Sequence, residues 1–353
     1  MVKSIIKVFG IIVVLLALVV GLYFLFMTLT DYKPKDVISL SINNNVETVL
    51  EKGTKVSAMT YNIGYCGLDE GQDFFMDGGT GSRSKSKEKT IENLNGVTEF
   101  LKDQTVDFIL LQEVDIKATR SYNINQYEQL KNSLSSYSSS YCLNYNVPWV
   151  PVPLSKPHGK VKSGLVSFGK YKMSKSSRYQ YPGKEKWPRQ LALLDRCFIE
   201  SRIPVKDGND LVLLNSHLSA YDKGGVIRKQ QLGFLKEYIS KEYNKGNYVV
   251  VAGDWNHAIP GTDPNLFESK REWPEWLKKI PDNFKPEGFQ WGADKEIPTN
   301  RTVDMPYKKG DNYRSVIDGF LVSPNVEIIS VKGQDLEFKY ADHNPVILEF
   351  LLK

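Results

Sequence analysis

The sequence is short of the residues from which small sites are usually built. It has three cysteines, Cys66, Cys142 and Cys197, in no CxxC spacing and with no histidine cluster beside them. So odd and sparse a set argues against a disulfide scaffold and against a zinc site. Two readings are left: three small buried hydrophobes, or one disulfide and one free thiol if the domain is exported. The glycine-rich stretch Gly78-Gly79-Thr80-Gly81 lacks the lysine register of a P-loop and reads as a flexible loop. No repeat of solenoid length is present. A large charge excess is missing too: 46 Lys and Arg stand against 41 Asp and Glu, a formal net charge of +5. That mild surplus permits an anionic substrate but falls well short of a dedicated nucleic-acid binder.

What is present is a globular composition in 353 residues, room for one large domain or two ordinary ones. Residues 8–29 form an uncharged apolar run of about 22 residues, some 33 Å as a helix and so matched to a hydrocarbon core. Residues 1–7 are a short tail carrying Lys3 and Lys7. A cleaved signal peptide would have a shorter apolar region and a small-residue cleavage site, whereas this run ends in Phe24-Leu25-Phe26-Met27. The reading is therefore a single-pass membrane anchor. The two lysines and the amino terminus favour the tail inside and the main domain on the extracytoplasmic side.

Residues 30–54 are polar and poor in aromatics, as a linker would be, and residues 55–353 form the remaining domain. Strand patterns fall at 56–61, 106–111, 163–168, 191–203, 211–215, 248–252, 316–322 and 346–351. Amphipathic helices fall at 87–101, with Ile91, Leu94, Val97 and Leu101 in one stripe, and at 226–243. Two long irregular stretches, 69–86 and 259–307, have the length of functional loops.

Polar residues close many of the buried strands: Tyr61-Asn62, Gln112-Glu113, Asn215-Ser216-His217, Gly253-Asp254-Trp255-Asn256, Ile317-Asp318 and Asp342-His343. Taken singly these have plain explanations: Asn62 caps a turn, Glu113 pairs with a lysine, Asp254 opens a turn. As a set they point to one pocket, because a carboxylate or imidazole at the mouth of a buried strand is costly unless paired or metal-bound. Two of the four histidines, His217 and His343, fall in this set.

The order Tyr-Asn, Gln-Glu, Ser-His-Leu, Gly-Asp-x-Asn, Ile-Asp and Asp-His resembles the endonuclease/exonuclease/phosphatase superfamily, from about Lys55 to the C-terminus. That superfamily includes deoxyribonucleases, abasic-site endonucleases, sphingomyelinases and inositol polyphosphate 5-phosphatases. The most diagnostic pieces are Gly253-Asp254-Trp255-Asn256 and Ala341-Asp342-His343-Asn344-Pro345. The resemblance implies an α/β four-layer sandwich of two mixed sheets flanked by helices. It also implies a metal-dependent phosphoric ester hydrolase using Mg²⁺, with Mn²⁺ as a substitute, held near Glu113, Asn62 and Asp342; oxygen ligands suit such hard cations.

By the same resemblance His343 contacts the phosphate or handles the proton of the attacking water, oriented by Asp318, while Asp254 holds or deprotonates that water. Asn256 donates to the phosphoryl group, and His217 supplies a second imidazole as in the deoxyribonuclease, sphingomyelinase and 5-phosphatase branches. Arg189 and Arg301 are weaker candidates for phosphate contacts. Asp222 either supports the His217 loop or caps the following helix. Trp273, Trp276, Phe284, Phe289 and Trp291 either face a substrate or membrane, or pack their loop onto the domain. The implied substrate is a phosphate ester: a lipid head group, nucleic acid or an inositol phosphate. The membrane is engaged through the N-terminal helix, and no obligate protein partner is implied.

Overall fold

The computed structural model describes residues 2–206, 208–222 and 224–353. It opens with α1 (Val2–Leu29), a 28-residue helix of mean hydropathy 3.0 over its most apolar window, none of which is buried against the rest of the molecule. By length and composition this helix is able to cross a membrane. Its exposure separates it from a buried core helix.

The domain that follows is two facing sheets. One runs in the order β16 (Val326–Gly333), β17 (Val346–Leu352), β2 (Lys55–Asn62), β3 (Phe108–Asp115), β5 (Gly159–Gly169), β4 (Ser138–Val150). The other is β1 (Val37–Ser39), β6 (Lys175–Gln180), β7 (Cys197–Pro204), β8 (Asp210–His217), β9 (Tyr248–Asp254), β15 (Asp318–Val322), β12 (Gln290–Gly292). Two small pairs complete the strands: β10 (His257–Ala258) with β11 (Lys278–Lys279), and β13 (Asn300–Arg301) with β14 (Arg314–Ser315).

Each sheet contains one parallel pair joined through a helix, because parallel neighbours need a crossover. β2 and β3 are linked through α2 (Lys87–Asp103), and β8 and β9 through α4 (Val226–Asn244). Ser86 caps α2 by accepting from the Lys89 amide. Alternation along β2 divides its side chains: Val56 and Ala58 enter the core between the sheets with Leu213, Val250 and Phe320, while Met59 and Tyr61 meet Leu94, Val97 and Leu101 of α2. On the far side, Leu232, Leu235 and Ile239 of α4 cover Val212, Val249 and Val251. α3 (Gln126–Ser133) adds Leu130 to the α2 layer. The fold is the expected α/β four-layer sandwich.

Several details differ from the sequence reading. The segment read as a linker is packed down: Val37–Ser39 extends one sheet as an edge strand, and Leu50 is fully buried in the inter-sheet core. The 191–203 strand begins only at Cys197, after a short helical turn at Arg189–Ala192. Ile91 is exposed rather than part of the α2 stripe. Phe284, Phe289 and Trp291 pack their loop onto Trp255, and Trp273 lies at the surface. Asp222 caps α4 by accepting from the Arg228 amide.

Candidate active site

Strand register assembles the site. In the second sheet His217, Asp254 and Asp318 lie side by side, since Asp254 is the partner of both in the β8–β9 and β9–β15 ladders. In the first sheet Asn62 pairs with Gln112, placing Glu113 one residue beyond. Both parallel pairs end at the same edge of the sandwich, so the sets face one another. Gly253 in the Gly-Asp-x-Asn motif has a direct cause: a Cβ there would stand 1.9 Å from the Ser216 carbonyl oxygen, and only glycine allows that approach.

Asp254 Oδ2 is the hub. Asn62 Nδ2 donates to it at 3.1 Å, His217 Nε2 lies at 3.4 Å and His343 Nε2 at 3.9 Å. The other oxygen, Oδ1, accepts from the Asn256 amide at 2.8 Å. Burial raises the pKa of Asp254. His343 Nδ1 and Asp318 Oδ2 share a 2.7 Å hydrogen bond with both groups buried. Burial disfavours the charged ring, but Asp318, then Asp254 and Asp342, outweigh it and hold His343 up to about 10. His217 goes the other way: burial and the positive charge of Arg196 keep its ring neutral, and its Nδ1 has no partner. One fold thus holds one imidazole charged and the other neutral.

Asn62 also donates to Glu113 Oε1 at 3.4 Å, while its own oxygen accepts from the Gly64 amide. The amide therefore bridges two carboxylates through its N–H groups, and a role as oxygen ligand requires it to turn over. Glu113 sits at φ +55, at an irregularity in the β3–β5 ladder, a strained position for a residue with a side chain. Asp342 is buried with Oδ1 unpartnered, and burial followed by the charge of Glu113 pushes its pKa up to about 7. A buried carboxylate with an orphan oxygen, costly to charge beside Glu113, fits a hard divalent cation. Asp254, Asp318 and His343 also place ligand atoms within 4.8 Å of one another. Within that trio the hydrogen bond to His343 occupies Asp318 Oδ2, while Asp318 Oδ1 has no partner.

These residues open into one cavity of about 320 Å³ lined by Asn62, Glu113, His217, Asp254, Asn256, Asp342 and His343. The two arginines expected at the phosphate are placed differently. Arg189 is exposed, with Glu185 at 4.0 Å, and lines a neighbouring cavity that shares Met76, Asp77 and Tyr221 with this one. Arg301 reaches the cavity wall; its Nη groups are committed to the carbonyls of Leu68, Asp69, Gln72 and Thr302, where they pin the 68–72 loop, and its Nε has no partner.

Three other residues take part. Arg196 lines the cavity with an unpartnered Nη1. Asn300 places its amide 3.1 Å from His343 Nε2. Arg120 grips Asp115 through two N–H groups and lies 3.7 Å from Glu113. No motif of the sequence singles out Arg120 or Arg196.

The profile described as Endonuclease/Exonuclease/phosphatase family matches residues 59–343. The chain belongs to that family. Its members are hydrolases of phosphate esters. An endonuclease/exonuclease/phosphatase from Beutenbergia cavernae is 16% identical with a TM-score of 0.58, over 84% of this chain and 72% of that one. D. rerio TDP2, solved with a single-strand DNA product, is 16% identical with a TM-score of 0.52, over 84% and 99%. ANGEL2, a 2',3'-cyclic phosphatase, is 16% identical with a TM-score of 0.52, over 90% and 99%. At such identities the likeness is one of fold. No curated protein matches the sequence.

Proposed function

We propose that the protein is a membrane-anchored phosphoesterase that hydrolyses a phosphodiester or phosphomonoester by attack of an activated water, with Mg²⁺ or Mn²⁺ as cofactor and its domain on the extracytoplasmic side. The observation that carries this reading is the convergence on Asp254 Oδ2 of Asn62, His217 and His343, drawn from both sheets of the sandwich. Glu113 and Asp342 would hold the cation, with Asn62 beside it; when bound, it supplies positive charge against the phosphoryl oxygens.

The protein's own groups do the rest. Asp254, its basicity raised by burial, takes the proton of the attacking water. Asp318 keeps His343 charged and aimed, so the imidazolium donates to a phosphoryl oxygen rather than serving as base. Asn256 gives one N–H to the Leu218 carbonyl and has another for the substrate. Neutral His217 supports the leaving oxygen, and Arg196 and Arg301, each with an unpartnered N–H group at the cavity, face the phosphate.

Full-length protein in detergent with Mg²⁺ should hydrolyse bis(p-nitrophenyl) phosphate, and Asp254→Ala should remove about three orders of magnitude of that rate. An Asp254→Ala variant as active as the wild type would sink the assignment. The mild surplus of positive charge permits nucleic acid as a second substrate class. Nuclease action should weaken steeply with added salt as counterion release is lost, which zwitterionic lipid hydrolysis should not.

A further inference from the structure

The last turns of α1 dock on the wall of the catalytic cavity. Met27 is buried among Tyr145, Val147, Val150 and Leu191, with Tyr23 and Phe24 packed alongside. The Tyr23 hydroxyl donates to the Trp149 carbonyl at 3.1 Å, and Trp187 Nε1 donates to the Thr28 hydroxyl at 3.2 Å. The inner side of the same wall, with Tyr145, Val150 and Leu194, lines the cavity that holds Asp254 and His343.

Around this junction the domain exposes large apolar side chains. Trp149 is 40% exposed, Trp187 58% and Leu154 86%, with Val152 between them. Exposed lysines, Lys156 and Lys186, stand among them. Aromatic rings interleaved with lysine suit the boundary between headgroups and acyl chains. Helix geometry sets the height: Tyr23 lies about 9 Å below Leu29, so the two segments that touch Tyr23 and Thr28, at Trp149 and Trp187, sit at headgroup level once α1 spans a bilayer. This rim is thus continuous with the membrane-crossing surface, and the bilayer is its natural occupant.

We infer that the rim formed by the 149–154 loop and Trp187 inserts into the membrane surface and presents a lipid phosphoester to the cavity. This rests on the phosphoesterase reading above. The reaction is hydrolysis: the water oxygen joins phosphorus, one P–O bond to the lipid or its headgroup breaks, and the water proton ends on the departing oxygen. No other reactant is needed.

The test uses the full-length protein in vesicles of phosphatidylcholine and phosphatidylglycerol. α1 contains no tryptophan, so quenching of tryptophan emission by lipids brominated high in the acyl chain reports on the domain alone. The wild type should be quenched, and a Trp149→Phe, Trp187→Phe variant should lose most of that quenching. Quenching unchanged by those substitutions overturns the surface. Leu154→Asp, on the rim and outside the cavity, should lower headgroup release from the vesicles about tenfold. The same variant should keep bis(p-nitrophenyl) phosphate hydrolysis within about twofold. Undiminished lipid hydrolysis, or equal loss on both substrates, overturns lipid presentation. A quenched wild type that hydrolyses neither substrate removes the phosphoesterase reading but keeps the surface. An unquenched wild type that cleaves the soluble diester does the reverse.

Discussion

Gln112 Nε2 donates a 2.8 Å hydrogen bond to Asn215 Oδ1 and ties one sheet to the other, one residue before Glu113 and two before His217. Asn215 in turn donates across the gap to the carbonyls of Leu111 and Val166, at 3.1 and 2.8 Å. All these groups are buried. Asn215→Ala takes these donors from two buried carbonyls, while the Gln112 amide keeps the Thr60 hydroxyl and the Leu110 carbonyl, a loss of about 2–4 kcal/mol. Urea unfolding of the variant should show it, and a loss below about 1 kcal/mol would mean that water replaces the bridge.

Asp318 acts on substrate only through His343. Asp318→Asn should lower kcat on a soluble diester by about two to three orders of magnitude with little change in KM. In the double variant with His343→Ala the loss should be no larger than that of His343→Ala alone, because the two side chains work as a unit. Multiplied losses would show that Asp318 acts independently of the ring.

Much of this geometry was legible because each motif sits at the end of its own strand. Gly253-Asp254-Trp255-Asn256 and Ala341-Asp342-His343 carry their chemistry locally, so a one-dimensional reading finds them. Asn300 touches His343 only through a bridge between residues 43 apart, and Arg196 turns into the cavity from a strand start, so neither leaves a local pattern. β4 was missed because its first three residues, Ser138, Ser139 and Ser140, are fully buried yet not apolar. Without β4 the docking of α1 against Val147 and Val150 was also out of sight.

Glu113 and Asp342 make the cation seat testable without turnover. A cation between them removes the repulsion that raises Asp342, so Mg²⁺ should stabilise the folded chain, by about 2.7 kcal/mol at a hundred times its Kd. Calorimetry of the full-length protein should show Tm rising with Mg²⁺, and Asp342→Asn should abolish most of the rise. A rise unaltered by that substitution would move the cation elsewhere.

Cys142 Sγ and Cys197 Sγ lie 3.6 Å apart, buried between the two sheets, whereas Cys66 packs beneath α2. If the domain faces an oxidising compartment, these two thiols should pass their electrons to an exchanging disulfide and close a bond. Intact-mass measurement under non-reducing conditions should then show the chain lighter by two hydrogens, and peptide mapping should link 142 to 197. Two free thiols in protein taken from the native membrane would count against the exported topology.

His158 gives the acid limb of stability. It is buried among Tyr65, Phe74, Phe75 and Tyr145 with Nδ1 against the Ser82 carbonyl, and burial, followed by Arg120, lowers it from 6.5 to about 3. A depressed histidine stays neutral in the folded state while the unfolded chain binds a proton. Stability is therefore full above the unfolded value near 6.5, falls as pH drops below it, and stops falling near the folded value of about 3. Between about pH 7.5 and 5.5 this one ring should cost about 1.4 kcal/mol. His257, lowered by burial to about 4, adds a similar slope. Urea denaturation of wild type and His158→Asn across that range isolates the first ring, since every other group contributes equally to both. The wild type should therefore lose about 1.4 kcal/mol more than the variant across that range, whatever the variant's stability at neutral pH. Parallel curves would mean that the His158 ring takes up its proton in the folded state.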